Sequence, residues 1–289
     1  MAAKKPVTPA DFDAAVKDAV AGTVKPKQQN TASGRFYEIE PGLSVPSVTH
    51  VLSCVGKPAL VAWAANTERA LVTEAAADLY LDLAKTPAMS RPAYIATLQG
   101  RIGKQKAHQK ELAKAAEIGT QAHGLVEWNI RRALGQAVGP EPRVLDAAQW
   151  AFMAFQDWAA SVNLKPLAIE QTVFSRIHGF AGTMDLLAEV NGVPTLVDFK
   201  TSKGIYAEAH LQTTAYRVAL NEMGHGPVAD AMIVRLPKLE SDPAFEAQAS
   251  PSIDELFPTF LAVLQLWKWW FAAEQASKAA WKAKKEAAA

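Results

Sequence analysis

Three charged residues, Asp185, Asp198 and Lys200, flank the dipeptide Asn191-Gly192. Asn-Gly between two apolar runs is a strong hairpin signal, because both residues of the favoured turn need positive φ. With these two as the loop, Val190 faces Val193, and counting outward sets Asp185 across from Asp198. That pair falls where the ladder makes no hydrogen bonds and Cα atoms approach to about 4.5 Å. Facing carboxylates weaken a strand pair unless a cation lies between them. Lys200, two residues on, shares the face of Asp198, whereas Phe199 points the other way, toward an apolar core. Two acids and an ammonium on one spot suit phosphodiester hydrolysis. A hard divalent ion, Mg2+ or Mn2+, neutralises the phosphate and lowers the pKa of an attacking water. A lysine beside it stabilises charge developing on the phosphate. The competing reading is an exposed hairpin with a surface Asp–Lys ion pair.

The elements that must position these residues follow from periodicity and punctuation. Ala168–Arg176, Gly182–Val190 and Thr195–Phe199 read as strands, and Ala231–Leu236 as an apolar strand. Ala207–Met223 reads as a helix stopped by Gly224, which places Gln212 and Tyr216 one turn apart on a single face. Helical pattern also covers Pro58 toward Ala84, Pro92–Ala115, Gly119–Leu134 and Arg143–Val162. Gly119 opens the third of these stretches, with His123 close to its start. Ser47 caps a short helix toward Val55, and Ser252–Glu255 is a capping box opening a long C-terminal helix. Asp11–Ala21 reads as a short helix, Lys25–Gly34 as a linker and Phe36–Ile39 as a short strand. The expected organisation is a flexible segment 1–34 and a single domain 35–289. Within it lie a helical part of about 46–162, a catalytic α/β core of about 115–240 and a C-terminal helix of about 252–285.

Composition narrows the classes. The 289 residues are 49% hydrophobic and 20% charged, ordinary for a globular chain, with net charge +1. Any nucleic-acid contact must therefore come from a local patch. The single cysteine, Cys54, excludes an internal disulfide, a four-cysteine zinc site and an iron-sulfur cluster, and fits a reducing, cytoplasmic setting. No secretory signal or bilayer-spanning run is evident, so no membrane partner is expected. A Gly-x-x-x-x-Gly-Lys-[Ser/Thr] phosphate loop is absent, and with it a helicase motor.

Taken in order, Gly119-Thr120-Gln121-Ala122-His123, Glu170, Gly182 to Asp185, Asp198 to Thr201 and Gln212 to Tyr216 resemble the RecB-like exonuclease branch of the PD-(D/E)XK superfamily, over roughly residues 115–236. Pro46 to Leu52 is similar to phage-encoded members of that branch. The resemblance implies an α/β fold, a restriction-endonuclease-like core with a small mixed sheet flanked by helices. It implies His123, Asp185, Asp198 and the Phe199 carbonyl as metal ligands, and Lys200 as the catalytic lysine. Gln212 and Tyr216 line the active site in that reading, with Glu170 as a supporting acid. It further implies DNA ends as substrate, with a recombination or single-strand-binding protein as partner.

For the DNA path, Thr120, Thr201, Ser202 and Lys203 flank the motifs, and Lys106, Lys110 and Lys114 form a helical stripe leading toward His123. No base-reading motif is visible, so little sequence specificity is expected. Exonuclease activity is the favoured form. A structure-specific endonuclease and an inactive DNA-binding scaffold are the alternatives.

Overall fold

A computed structural model describes residues 26–83, 89–228, 230–239, 241–242 and 244–287. The helix expected over Asp11–Ala21 lies outside them. In chain order the elements are strands β1 (Lys27–Thr31), β2 (Gly34–Glu40) and β3 (Leu43–Pro46) and helices α1 (Val48–Leu52), α2 (Pro58–Leu83), α3 (Arg91–Ile102), α4 (Ala107–Ala133) and α5 (Asp146–Ser161). There follow β4 (Lys165–Ser175), β5 (Phe180–Val190), β6 (Val193–Lys200), α6 (Ala207–Glu222), β7 (Asp230–Arg235), β8 (Glu246–Ala249) and α7 (Ile253–Ala287). Two compact units emerge, one of Met1–Val55 with Gln121–Ala289 and the other of Gly56–Thr120.

The first unit holds a five-stranded sheet in the order β4-β5-β6-β7-β8. Only β6 and β7 run parallel, and α6 makes the crossover that parallel neighbours require. This is the mixed sheet flanked by helices that the sequence predicts. A core cluster joins Val48 and Val51 of α1, Met184 and Leu187 of β5, Ala219 and Leu220 of α6, and Phe260, Leu264 and Trp267 of α7. Phe199 packs instead on α5, its ring 5.5 Å from Phe155 and 5.8 Å from Trp158 between centroids. Burial of this single strand therefore serves two layers, as the alternation of β6 demands.

A smaller sheet, β1-β2-β3, is an antiparallel meander. It overturns the linker reading of Lys25–Gly34. Lys27–Thr31 pairs with Gly34–Glu38 although most of its side chains are exposed, because backbone pairing needs no apolar face. Ser47 caps α1 as expected, accepting the His50 N–H at 3.0 Å. Gly119 does not open a helix. It lies inside α4, which is continuous from Ala107 to Ala133.

In the second unit, Arg101 pairs with Asp82 at 2.5 Å, and His108 Nδ1 lies 2.7 Å from Glu68 Oε1. Among the described residues no helix is long and apolar enough to cross a membrane.

Candidate active site

The hairpin forms where Asn191 and Gly192 place it, with φ of 51° and 83°. Register runs from Val190–Val193 to Leu186–Val197, as the turn dictates. The ladder stops there, one pair short of Asp185–Asp198. Instead, the Phe199 N–H donates to Asp185 Oδ2 at 2.8 Å. A side chain has captured the backbone donor, so Asp185 is held by the strand that carries Asp198.

A matching interruption lies on the other side of β5. Ile169 pairs with Leu186 and Gln171 with Met184, while Glu170 and Asp185 between them are unpaired in that ladder. Glu170 has φ 48°. Asparagine visits this left-handed region readily, as Asn163 and Asn191 do, but a glutamate there is strained by about 1–3 kcal/mol. The bend and the side-chain capture leave both acids free of regular strand geometry.

Helix α4 supplies the third group. His123 Nδ1 lies 3.6 Å from Asp185 Oδ2. His123, Glu170 and Asp185 each offer a ligand atom, and these atoms lie within 4.8 Å of one another. One turn further along α4 stands Glu127, whose Oε1 accepts from Arg131 Nε at 2.7 Å. Burial first, then the charges of Asp185 and Glu127, push the Glu170 carboxyl up to about 8, against a smaller pull from Arg131. An imidazole with two carboxylates, one of them kept from ionising by burial and then by its acidic neighbours, is a donor set that fits a hard or borderline divalent cation.

Asp198 is buried at 1% exposure and stands apart from that trio. Its Oδ2 lies 2.5 Å from Lys200 Nζ, and its Oδ1 accepts from Gln212 Nε2 at 3.1 Å. Burial raises the Asp198 carboxyl to about 6; Lys200 opposes that shift and Asp185 adds to it. Burial alone would lower Lys200, but Asp198 and Asp185 outweigh it and hold its ammonium above the usual range. Gln212 Nε2 also donates to the Tyr216 hydroxyl at 3.3 Å, so the i, i+4 pair on α6 does reach back over β6. Burial, then Asp198 and Asp185, keep the Tyr216 phenol protonated well beyond its ordinary range.

Gly182 explains part of its motif sterically. A Cβ there would sit 2.4 Å from Tyr216 Cε1 and 2.8 Å from its oxygen, so only glycine lets the tyrosine ring lie against β5.

The structure thus gathers His123, Glu170, Asp185, Asp198, Lys200, Gln212 and Tyr216. It separates them into a His–Glu–Asp trio and an Asp–Lys–Gln–Tyr chain joined at Phe199. Glu170 stands with the candidate ligands, where the sequence reading gave it a supporting part. At the end of β6, Thr201 is half-buried, Ser202 Oγ donates to the Gly204 carbonyl at 2.7 Å, and Lys203 is exposed. Lys106, Lys110, Lys114 and Thr120 are exposed in the unit Gly56–Thr120.

Sequence reasoning missed Tyr37. Its hydroxyl lies 3.0 Å from Thr183 Oγ1, two residues from Asp185, and donates to Gln28 Oε1 at 3.1 Å. The strand signal around Phe36 was legible, but no spacing tells which side of which sheet it will meet. The charge of Glu127 beside Glu170 was likewise hidden, since α4 and β4 are far apart in sequence.

The sequence matches a family model described as the PD-(D/E)XK nuclease superfamily over residues 90–286. No curated protein matches it. Among solved structures, an alkaline exonuclease from Laribacter hongkongensis is 13% identical, with 63% of this chain and 88% of that chain covered and a TM-score of 0.37. The same exonuclease in complex with dAMP is 14% identical, with 59% and 91% covered and a TM-score of 0.36.

Proposed function

The chain belongs to the PD-(D/E)XK nuclease superfamily, and from that premise we propose that it is a Mg2+- or Mn2+-dependent exonuclease acting on DNA ends. The observation that carries the reading is the join between the two groups. Asp185 shares the ligand trio with His123 and Glu170, and also takes the N–H of Phe199, the residue between Asp198 and Lys200.

His123, Glu170 and Asp185 would hold the divalent ion, with Asp198 the next acid available to it. When bound, the ion supplies neutralisation of phosphate charge and activation of water. The residues do the remainder. Lys200 is kept cationic by its two acidic neighbours, so it acts as a donor to a phosphate oxygen as charge builds, and does not serve as a base. Gln212 fixes the orientation of Asp198 with one amide nitrogen and reaches Tyr216 with the same group. Tyr216, held protonated, has a hydroxyl to donate. Thr201, Ser202 and Lys203, where β6 ends, are the proposed contacts to the DNA backbone nearest the reaction. Lys106, Lys110, Lys114 and Thr120 are proposed as a further phosphate track.

A time course with Mn2+ on end-labelled linear DNA and on closed circular DNA tests this. Release of terminal nucleotides from the linear form, with the circle left intact, is the expected result. Cutting of the circle would make the chain an endonuclease. Identical DNA processing with and without EDTA would refute metal-dependent hydrolysis.

A further inference from the structure

A polar cavity lies in the first unit, formed by α1, the β1–β2 turn and α7. It measures about 360 Å³, within the range of small-ligand sites, and its walls include His50, Cys54, Trp267, Trp270, Phe271 and Gln275. Trp267 and Phe271 stack at 4.9 Å with 17° between their planes, giving a flat aromatic wall. Phe36 backs it, 5.7 Å from Phe271 and 5.3 Å from His50.

Of the lining residues, Gln275 has its Nε2 buried without a hydrogen-bond partner, and the His50 ring packs against Gly34 with a backbone hydrogen bond at Arg35. Buried polar groups are nearly always satisfied, so an unpartnered amide in the lining of an aromatic cavity calls for a ligand that is flat and carries hydrogen-bonding edges. The setting narrows the ligand further. From Leu266 onward α7 carries Lys268, Lys278, Lys282, Lys284 and Lys285 against Glu274 and Glu286, five positive charges to two negative, on a chain of net charge +1. Lys278 lines the cavity beside Glu274, its Nζ 3.5 Å from the Glu274 carboxylate. Trp270 stands at the rim, 53% exposed, with its Nε1 donating to Glu274 Oε1 at 2.9 Å. Further along, Trp281 is exposed with the Lys285 ammonium 5.6 Å from its ring. Rings interleaved with lysines along one element are what a single strand needs, bases on the faces and phosphates on the cations.

We propose that this cavity receives an unpaired nucleobase of a DNA single strand whose backbone follows the lysines of α7. The proposal rests on the reading of DNA as substrate and extends it to a strand-holding site apart from the reacting residues. β2 links the two places. Phe36 backs the cavity, and the next residue, Tyr37, bonds Thr183 beside the acid cluster.

The test is binding in EDTA, where no cleavage intrudes. The intact protein is titrated into labelled oligothymidylate and into an abasic strand of equal length, with fluorescence anisotropy as readout. Wild type should prefer the base-bearing strand roughly tenfold or more. Trp270→Ala and Gln275→Leu should each lose most of that preference while keeping the wild-type melting temperature. Cys54, the sole cysteine, lines the cavity and reports occupancy. Its alkylation by N-ethylmaleimide should slow with oligothymidylate and not with the abasic strand.

Equal affinity for the two strands, or variants that retain the full preference, would overturn the proposal. So would protection of Cys54 by free thymidine monophosphate at the concentration where the strand protects. Loss of self-association in the variants with strand binding unchanged would show a face for a second copy instead. Base-dependent binding without metal-dependent cleavage would refute the catalytic reading alone. Cleavage without base-dependent binding would overturn the cavity alone.

Discussion

Replacing Glu170 by glutamine should make the metal-free protein more stable at alkaline pH, although it removes a candidate ligand. The carboxyl is raised from 4.5 to about 8, first by burial and then by Asp185 and Glu127. In the unfolded chain it ionises near 4.5, while in the folded state it keeps its proton until about 8. A folded pKa above the unfolded one means a stability contribution complete below about 4.5 and lost as pH climbs through 8. The full separation corresponds to at most ~5 kcal/mol at 1.36 kcal/mol per pKa unit. Partial exposure of the side chain reduces this to roughly 2–3 kcal/mol. Glutamine mimics the protonated acid and does not ionise. In EDTA, Glu170→Gln should therefore match wild type near pH 4.5 and melt several degrees higher at pH 8.5, at about 2–4 °C per kcal/mol for a chain of this size. Saturating Mn2+ should close the gap at pH 8.5, because wild type gains about 2.7 kcal/mol at a hundredfold excess over Kd, about the size of its penalty. Calorimetry at the two pH values, with EDTA and with Mn2+, measures all of this. A difference between variant and wild type that does not change with pH would refute the reasoning.

Other changes have equally direct outcomes. Lys200→Ala should abolish cleavage, at least a hundredfold in rate, with folding retained by circular dichroism; wild-type rates would remove Lys200 from the reaction. Gly182→Ala should destabilise by about 1–3 kcal/mol in urea melts and lower activity, because its Cβ would meet the Tyr216 ring at 2.4 Å; full activity would show that Tyr216 need not lie there. Phe199→Ala removes a ring packed on Phe155 and Trp158 and should cost about 3–5 kcal/mol. A small loss in denaturant titration would mean that the α5 layer is looser than described.

Much of the site was legible because its decisive feature is local. An Asn-Gly turn fixes register, register fixes faces, and the faces of Asp198, Phe199 and Lys200 follow by alternation. What local rules miss is competition. Nothing near Asp185 says that its carboxylate will displace a ladder acceptor and take the Phe199 N–H, ending the pairing one step early. The bend at Glu170 was hidden for a related reason: glutamate signals no turn, so positive φ there reflects surrounding structure imposed on an unwilling residue. β1 and β8 escaped notice because Lys27–Thr31 is mostly exposed and Glu246–Ala249 wholly so, leaving no alternation to read. Gly119 suggested a helix start, yet a glycine inside a long helix costs only about 1 kcal/mol, and α4 absorbs it.

The placement of Phe199 has a bearing on how the charges are kept together. Its ring is locked beneath the sheet among Phe155 and Trp158, while its N–H restrains Asp185 and its two neighbours are Asp198 and Lys200. Asp185 on β5 and Asp198 on β6 therefore cannot drift apart to relieve their repulsion without tearing a ring out of its oily socket. Folding itself does the work of compressing like charges, in advance of any encounter with substrate. A passing cation meets a ready-made deficit of positive charge, and one aromatic side chain with no chemistry of its own keeps that deficit from leaking away.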